Sequence, residues 1–500
     1  MILSFNKKEM KNLKNYTIVL LLLVFSGCTE DIESVNYDEI NPSIFPSSEA
    51  DIQAIVASAY YPLRGSYGNG IHSTSENGLM FILDATTEIL QGPYGVQQEA
   101  SLHSYKASST AFTRFYDVFY NKISSMTLSI DRIENSKVNE LIKKQAIAEI
   151  RCARGLLAYE LFDLYGPLVV APLEVLKNPL KEEPLARLSN AEMVSFIEND
   201  LKAAAESLKS PAETPYGRLS SGMARMVLVR LYLHEKRWAE VEAQTNAIIG
   251  MNYYGLEDDY VGLWDVKAPV ESREVIWAVP ADYAGTSENQ WQLMCLPANF
   301  PGRGGYGTIQ SSWKFYDSFE ATDIRKNALI AEYTGTDGVT YNRANPANYM
   351  QLGPIPLKID PDAARTTALT TVDIIVYRYP DVLLSKAEAL VNKTGTPTQE
   401  AIDLVNVVRK RAKISELQLV NYATLEKFND MILLERSHEY WCENGQYRSD
   451  LIRHGKFTEH AKALNGAASQ SEPYKALFPF SLARISEGKG KFIQNTGYIN

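Results

Sequence analysis

A short, strongly signalled connection between two amphipathic helices constrains this chain more than any other feature. Residues 374–377 are apolar and extended-looking, and Pro380 falls where a helix begins, because its missing N–H is not needed in the first turn. Val382, Leu383, Leu384, Ala387, Leu390 and Val391 then recur at helical spacing up to Lys393, and Thr394-Gly395 ends that helix. A second helix is expected at once, with Thr396 as its cap, Pro397 in its first turn and Gln399 completing a capping box; Ala401, Leu404, Val405 and Val408 mark its buried face. Residues 373–411 are therefore an αα-hairpin.

The same grammar recurs upstream. Helices are expected over residues 48–62, 110–133 and 146–165, the last closed by Gly166-Pro167, and a capping box of Ser189 and Glu192 opens another carrying Met193, Ile197 and Leu201. Residues 220–251 hold two more helices, split at Glu235-Lys236-Arg237, and residues 425–442 a further one. Single hairpins of this length cannot bury an apolar face alone, whereas stacked hairpins make a continuous core. The expected fold is mostly α: a tetratricopeptide-like helical scaffold with long loop excursions and a few short strands, although the 34-residue consensus of that repeat is absent.

The first 27 residues read as an export signal. Lys7, Lys8, Lys11 and Lys14 precede an apolar run over residues 16–25 that is too short to span a bilayer, and Ser26-Gly27-Cys28 follows. The sequence VFSGC resembles a bacterial lipoprotein signal, which makes Cys28 the expected lipidation site, and Thr29-Glu30-Asp31 behind it resembles the surface-export signal of Bacteroidetes lipoproteins. Residues 28–49 read as the lipidated N-terminus and tether, and residues 50–500 as one domain. Within it the scaffold is expected over 50–252 and 308–500, with loop-rich ligand-binding regions near 65–105 and 253–307.

Formal charge is −10, and since residues 1–27 carry +3, the remainder is near −13 without any Lys/Arg-rich block, which argues against nucleic acid. Cys152, Cys295 and Cys442 match no metal or redox spacing, and Cys152 and Cys442 lie in helical patterns as small apolar residues. No nucleophile elbow, zinc-helix motif, phosphate loop or dinucleotide fingerprint occurs, and the six His are scattered. Glu435 and Glu439 share a helix face, but Arg436, Arg448 and Arg453 nearby suggest ion pairing rather than catalysis. No cofactor is expected; a structural cation is left open.

Ligand-binding chemistry is expected in the loops, where Gly, Asn and Pro interleave with aromatics that lack helical spacing. Tyr67, Tyr94, Tyr283 and Trp291 are candidates to present ring faces to the apolar face of a sugar, and Asn69, Asn289 and Arg303 to bond its hydroxyls. Trp264 and Trp277 are expected in the core. Residues 334–364 read as another Gly-, Asn- and Pro-rich excursion with little internal pattern.

Several blocks in order resemble one family: FTRFYDVFYNKISSM at 112–126, AEIRCARGLLAYELFDLYGPLVV at 148–170, GRLSSGMARMVLVRLYLHEKRW at 217–238, SSWKFYDSFEATDIRK at 311–326, VYRYPDVLLSKAEALVN at 376–392, IDLVNVVRKRA at 402–412, ILLERSHEYWCENGQYRSDLIRHGK at 432–456 and KALFPFSLARISEGKGKFIQNTGY at 475–498. They resemble the RagB/SusD family of outer-membrane nutrient-binding lipoproteins. One departure is Tyr447, which stands where that family usually has Trp. The resemblance implies a non-catalytic receptor, lipid-anchored in the outer membrane and exposed at the cell surface, that binds a glycan and delivers it to a SusC-like TonB-dependent transporter. A peptide receptor of the same architecture, a helical adaptor and a lipid-anchored glycosidase are the alternatives.

Overall fold

In this computed structural model the described residues are 45–66, 70–76, 78–93, 95–178, 180, 183–265, 268–282, 289–346, 349–359 and 369–498. Cys28, Tyr67, Asn69, Tyr94 and Tyr283 lie outside them. From Pro46 to Asn500 the chain forms one unit.

The N-terminal half is built from α1 (Glu49–Tyr60), α2 (Leu79–Asp84), α3 (Gly95–Ser101), α4 (Thr110–Glu134), α5 (Glu140–Tyr165), α6 (Leu173–Leu176), α7 (Asn190–Ser207), α8 (Ser221–His234) and α9 (Trp238–Ile249). Sequence-readable signals start several of them: Ser48 and Asp51 make a reciprocal capping box on α1, and Ser189 and Glu192 make one on α7. α5 begins two turns before residue 146, where Asn139 caps it by accepting from the Leu141 N–H at 2.9 Å. Its neighbours α4 and α7 pack on either side, α8 packs on α7, and α9 on α8.

The second half of the scaffold contains α13 (Tyr379–Thr394), α14 (Gln399–Arg411), α15 (Leu425–Tyr440), α16 (Gln446–Arg453), α17 (Phe457–Asn465) and α18 (Leu482–Glu487), preceded by the short α10 (Ala268–Glu271), α11 (Trp291–Cys295) and α12 (Trp313–Ser318). The 373–411 hairpin forms as expected except at its turn. Gly395 ends α13 in the left-handed region, but the cap of α14 is Thr398, whose hydroxyl accepts the Ala401 N–H at 3.3 Å, so Thr396 and Pro397 belong to the connection. Leu384, Ala387 and Val391 of α13 meet Ile402, Val405 and Val408 of α14 and Phe428 and Ile432 of α15 in a solvent-free cluster. α9 packs against α13, which joins the two halves.

Among the described residues eight short strands accompany the helices: β1 (Leu90–Gln91), β2 (Val275–Val279), β3 (Gln310–Ser311), β4 (Leu329–Ile330), β5 (Glu332–Thr334), β6 (Thr340–Asn342), β7 (Ile355–Pro356) and β8 (Ile374–Arg378). They pair antiparallel as β1–β3, β2–β8, β4–β7 and β5–β6. The segment that reads as patternless between residues 334 and 364 thus includes part of a β-hairpin, with Tyr333 opposite Tyr341, and β7. Trp264 and Trp277 are buried, as expected.

Candidate functional site

A buried ion-pair network fixes the excursion that carries β4 to β7. Arg325, just before β4, bonds Asp323 at 2.8 Å, Glu435 at 2.7 Å and Glu439 at 3.2 Å. Lys358, just after β7, pairs with Glu443. Arg378 at the end of β8 reaches Glu274 at 2.5 Å, Glu439 at 2.7 Å and Glu443 at 2.7 Å, and Arg411 of α14 pairs with Glu274 and Glu439. Glu435 also bonds Arg409 at 2.8 Å. Charges removed from water need this degree of mutual pairing. Arg411, Arg378 and Arg325 together outweigh the burial that opposes ionisation of Glu439 and hold its carboxyl well below the usual carboxylate range. The expected ion pairing of Glu435 and Glu439 is therefore present, but its partners come from elements distant in sequence rather than from Arg436, Arg448 or Arg453. Arg436 instead bonds Asp381 and Asp450, and Arg453 bonds Glu388 and Asp450.

On this support α11 docks against the exit of β7. Trp291 is fully enclosed and its indole N–H donates to the Pro356 carbonyl at 2.8 Å; Gln292 Nε2 donates to the Ile359 carbonyl at 3.1 Å. Asn289, also without exposure, donates to the Val372 carbonyl at 2.8 Å and accepts the Trp291 N–H at 3.2 Å. Arg303 is 4% exposed and donates to Gln292 Oε1 at 3.3 Å. The sequence expectation that Trp291, Asn289 and Arg303 face a ligand is thus corrected. The polar surroundings of Trp291 are buried and bonded to backbone carbonyls far along the chain, so they draw the ring inward instead of leaving it in solvent.

These buried residues position the loop that follows. The carbonyls of α11 accept from the loop amides, Leu293 from Tyr306 at 2.7 Å and Met294 from Thr308 at 2.9 Å. Tyr306 is left 62% exposed at the loop surface. At Gly307 a Cβ would lie 2.9 Å from the Tyr349 ring, so Tyr349 packs directly on that backbone beside Tyr306. The other side of the loop carries Asn299, whose carbonyl accepts the Thr336 N–H at 2.9 Å and whose amide donates to Asp337 Oδ2 at 3.1 Å. The Tyr341 hydroxyl donates to the same Asp337 oxygen at 2.6 Å, and that of Tyr333 to Asn299 Oδ1 at 2.9 Å. Tyr341 stacks on Tyr333 with ring centroids 5.2 Å apart, and Phe300 tilts against Tyr333 at 5.3 Å.

The result is a platform around one carboxylate and one amide, in which Tyr306 is exposed and Tyr341, Tyr349 and Phe300 are half-buried. The Tyr341 hydroxyl and the Val339 amide hold the Asp337 carboxyl below its ordinary range, so it is an acceptor at neutral pH. Ring faces that take apolar C–H surface, beside acceptors and donors for hydroxyls, are chemically matched to a sugar. β1–β3 pairing places Gly92, at the foot of the neighbouring loop, against the carbonyl of Thr308. This one approach brings the chain after β1 beside the loop that carries Tyr306. Among the platform residues only the loop of Tyr306 and Asn299 was marked by the sequence; Tyr341 and Asp337 were announced by the Asp-Gly turn of their hairpin, a signal that the segment's overall composition obscured.

Two family models match in order. Residues 36–233 match one described as starch-binding associating with outer membrane, and residues 326–498 match the SusD family model. This chain belongs to the RagB/SusD family. The starch-binding protein SusD of Bacteroides thetaiotaomicron is 23% identical over 97% of this chain and 98% of its own length, and a SusD-like protein of Formosa agariphila is 24% identical over 91% and 95%. Among solved structures, a SusD superfamily protein of Parabacteroides distasonis superposes with a TM-score of 0.76 at 21% identity, covering 90% of this chain and all of that one. The surface glycan-binding protein A of Bacteroides thetaiotaomicron, solved with laminarihexaose, superposes with a TM-score of 0.70 at 18% identity, covering 89% and 99%. These structures share the SusD-like, mostly α fold.

Proposed function

We propose that this protein is a non-catalytic cell-surface glycan receptor that passes its cargo to a SusC-like TonB-dependent transporter. The observation that carries the reading is the tyrosine platform with Asn299 and Asp337, held on a SusD-type scaffold by α11. The starch-binding and laminarihexaose-binding relatives support a glycan as the class of ligand. The engagement of Glu435 and Glu439 with buried arginines removes that pair as a catalytic one, because a catalytic carboxylate pair must be open to substrate.

Cys28 is the proposed lipid anchor, with the acidic residues behind it directing the protein to the outer face of the outer membrane. Hydroxyl bonds that replace bonds to water leave little net gain, so affinities of about 10 µM to 1 mM are expected, about −7 to −4 kcal/mol. Such binding lets cargo move on to a transporter, while several receptors acting together still retain a polymer.

The test is calorimetric titration of the mature protein against plant, microbial and host polysaccharides and their oligosaccharides, with product formation followed in parallel. Saturable binding without shortened products supports the receptor. Shortened products would make it an enzyme, and binding of peptides alone would change the cargo class. Cys28→Ala in cells tests the anchor: the reading requires the protein to leave the membrane fraction, and retention there would refute lipidation at this residue.

A further inference from the structure

A concave site that shares no lining residue with the tyrosine platform lies where the turn before α8, the Tyr253-Tyr254 segment and β2 meet. Its volume is about 250 Å³, and it is lined by Tyr216, Arg218, Ser220, Tyr253, Tyr254 and Trp277 among others. Its aromatic walls are fixed from behind. The Tyr216 hydroxyl donates to Asp373 Oδ2 at 2.7 Å while the ring remains 37% exposed, and Asp373 Oδ1 accepts the Ala281 N–H at 2.8 Å. Tyr253 stands edge-on to Tyr254, with centroids 5.1 Å apart, and the Arg273 guanidinium sits 4.7 Å over its ring. Trp277 donates its indole N–H to the Gly217 carbonyl at 3.2 Å.

The cleft's charge is answered internally. Arg218 makes a two-pronged bond to Glu149 at 2.9 and 2.8 Å, so its guanidinium is already engaged by a carboxylate. A phosphate or carboxylate ligand would have to displace that partner. Held aromatic rings beside an already paired charge suit a neutral ligand of modest volume with apolar C–H faces, as a saccharide has. Rings locked before binding also lower the ordering entropy that a weak ligand must overcome.

We propose that this cleft is a second saccharide subsite that takes a short segment of the same glycan class; the inference rests on the glycan-binding reading above. Two separate subsites would let one chain hold a long glycan at two points, so that a polymer dissociates more slowly than either contact alone would allow.

The test titrates the full mature chain in detergent with laminarihexaose, maltohexaose, xylohexaose and mannohexaose. Val270 lines the cleft and is 54% exposed, so Val270→Arg obstructs it without touching the core. Tyr253→Ala removes one wall. We expect each variant to weaken hexasaccharide binding about fivefold, the scale of one lost contact of about 1 kcal/mol, or to reduce the stoichiometry, with unchanged thermal unfolding. Loss of binding in Tyr306→Ala with no effect of Val270→Arg or Tyr253→Ala would refute the subsite and leave the glycan reading standing. Absence of binding to all four sugars would overturn both. Val270→Arg-sensitive binding of a casein digest, with no sugar response, would assign the cleft to peptides instead.

Discussion

Trp291 donates its indole N–H to the carbonyl of Pro356 at 2.8 Å from a position with no solvent exposure. This bond fastens α11 to the exit of β7, and α11 in turn holds Tyr306 through the Leu293 carbonyl. Trp291→Phe keeps most of the apolar contact and orphans the carbonyl, so a loss of about 1–3 kcal/mol is expected. Trp291→Ala adds a cavity and should lose about 3–5 kcal/mol. Urea unfolding measures both; wild-type stability of Trp291→Phe would contradict the hydrogen bond's role, and equal stability of the two variants would contradict the added cost of the cavity.

The Arg–Glu network makes a different demand. Glu439→Gln leaves Arg378, Arg411 and Arg325 with one carboxylate fewer in a dry site, and a cost of about 3–5 kcal/mol is expected. By contrast Arg343 and Asp317 pair at 3.0 Å on the surface with both side chains about half exposed, and Arg343→Ala should change stability by less than about 1 kcal/mol. Hydrogen exchange of Glu439→Gln should loosen residues 329–356 first, since Arg325 and Lys358 bracket that excursion. Uniform loosening across α4 to α9 would contradict this assignment.

Glu160 supplies a pH dependence. Burial, with Asp163 adding repulsion, pushes its carboxyl up to about 8, while Tyr377 and Asn444 donate to it at 3.2 and 3.3 Å. Between the ordinary carboxylate range and about pH 8 the native state keeps a proton that the unfolded chain has released. Its contribution to stability therefore falls as pH rises through that window, by a few kcal/mol in total. Glu160→Gln, uncharged at every pH, should flatten the slope between pH 5 and pH 8. Thermal unfolding across that range checks this, and an unchanged slope would contradict it.

Gly335 is required by close approach. A Cβ there would lie 2.6 Å from both Asn299 Nδ2 and Asp337 Oδ1. Gly335→Ala should therefore displace the Asn299 amide and the Asp337 carboxylate and weaken glycan binding about tenfold, the equivalent of about 1.4 kcal/mol, with little change in global unfolding. Calorimetry with any bound oligosaccharide tests it, and wild-type affinity would show that the loop–hairpin contact does not shape the ligand surface.

The scaffold was legible because its signals are local. Ser189 and Glu192, or Val405 and Val408, carry their meaning within one or two turns, and the structure places those helices within a few residues of the expected ends. Thr396 and Thr398 both fit a cap on local grounds, and only the packed helix chooses the later one. The site was less legible because its supports are distant. Nothing near Trp291 shows that Pro356 will meet it, nothing near Glu439 names Arg325 or Arg378, and the polar neighbours Asn289 and Gln292 imply exposure unless their carbonyl partners are known. Loop composition marks the segment around Tyr306, whereas choosing among its aromatics for the proposed platform needs the fold.

The most direct measurement compares wild-type protein with Tyr306→Ala and the double variant Tyr306→Ala/Tyr341→Ala for binding and turnover of the best-bound oligosaccharide. Tyr306 is exposed, so its loss should leave thermal unfolding near wild type, whereas Tyr341 is half-buried against Tyr333 and the double variant should unfold at a slightly lower temperature. The account predicts saturable binding with no shorter products, weakened about tenfold by the single change and abolished within detection by the double one. Full affinity in the double variant, or product released by the wild type, would contradict it.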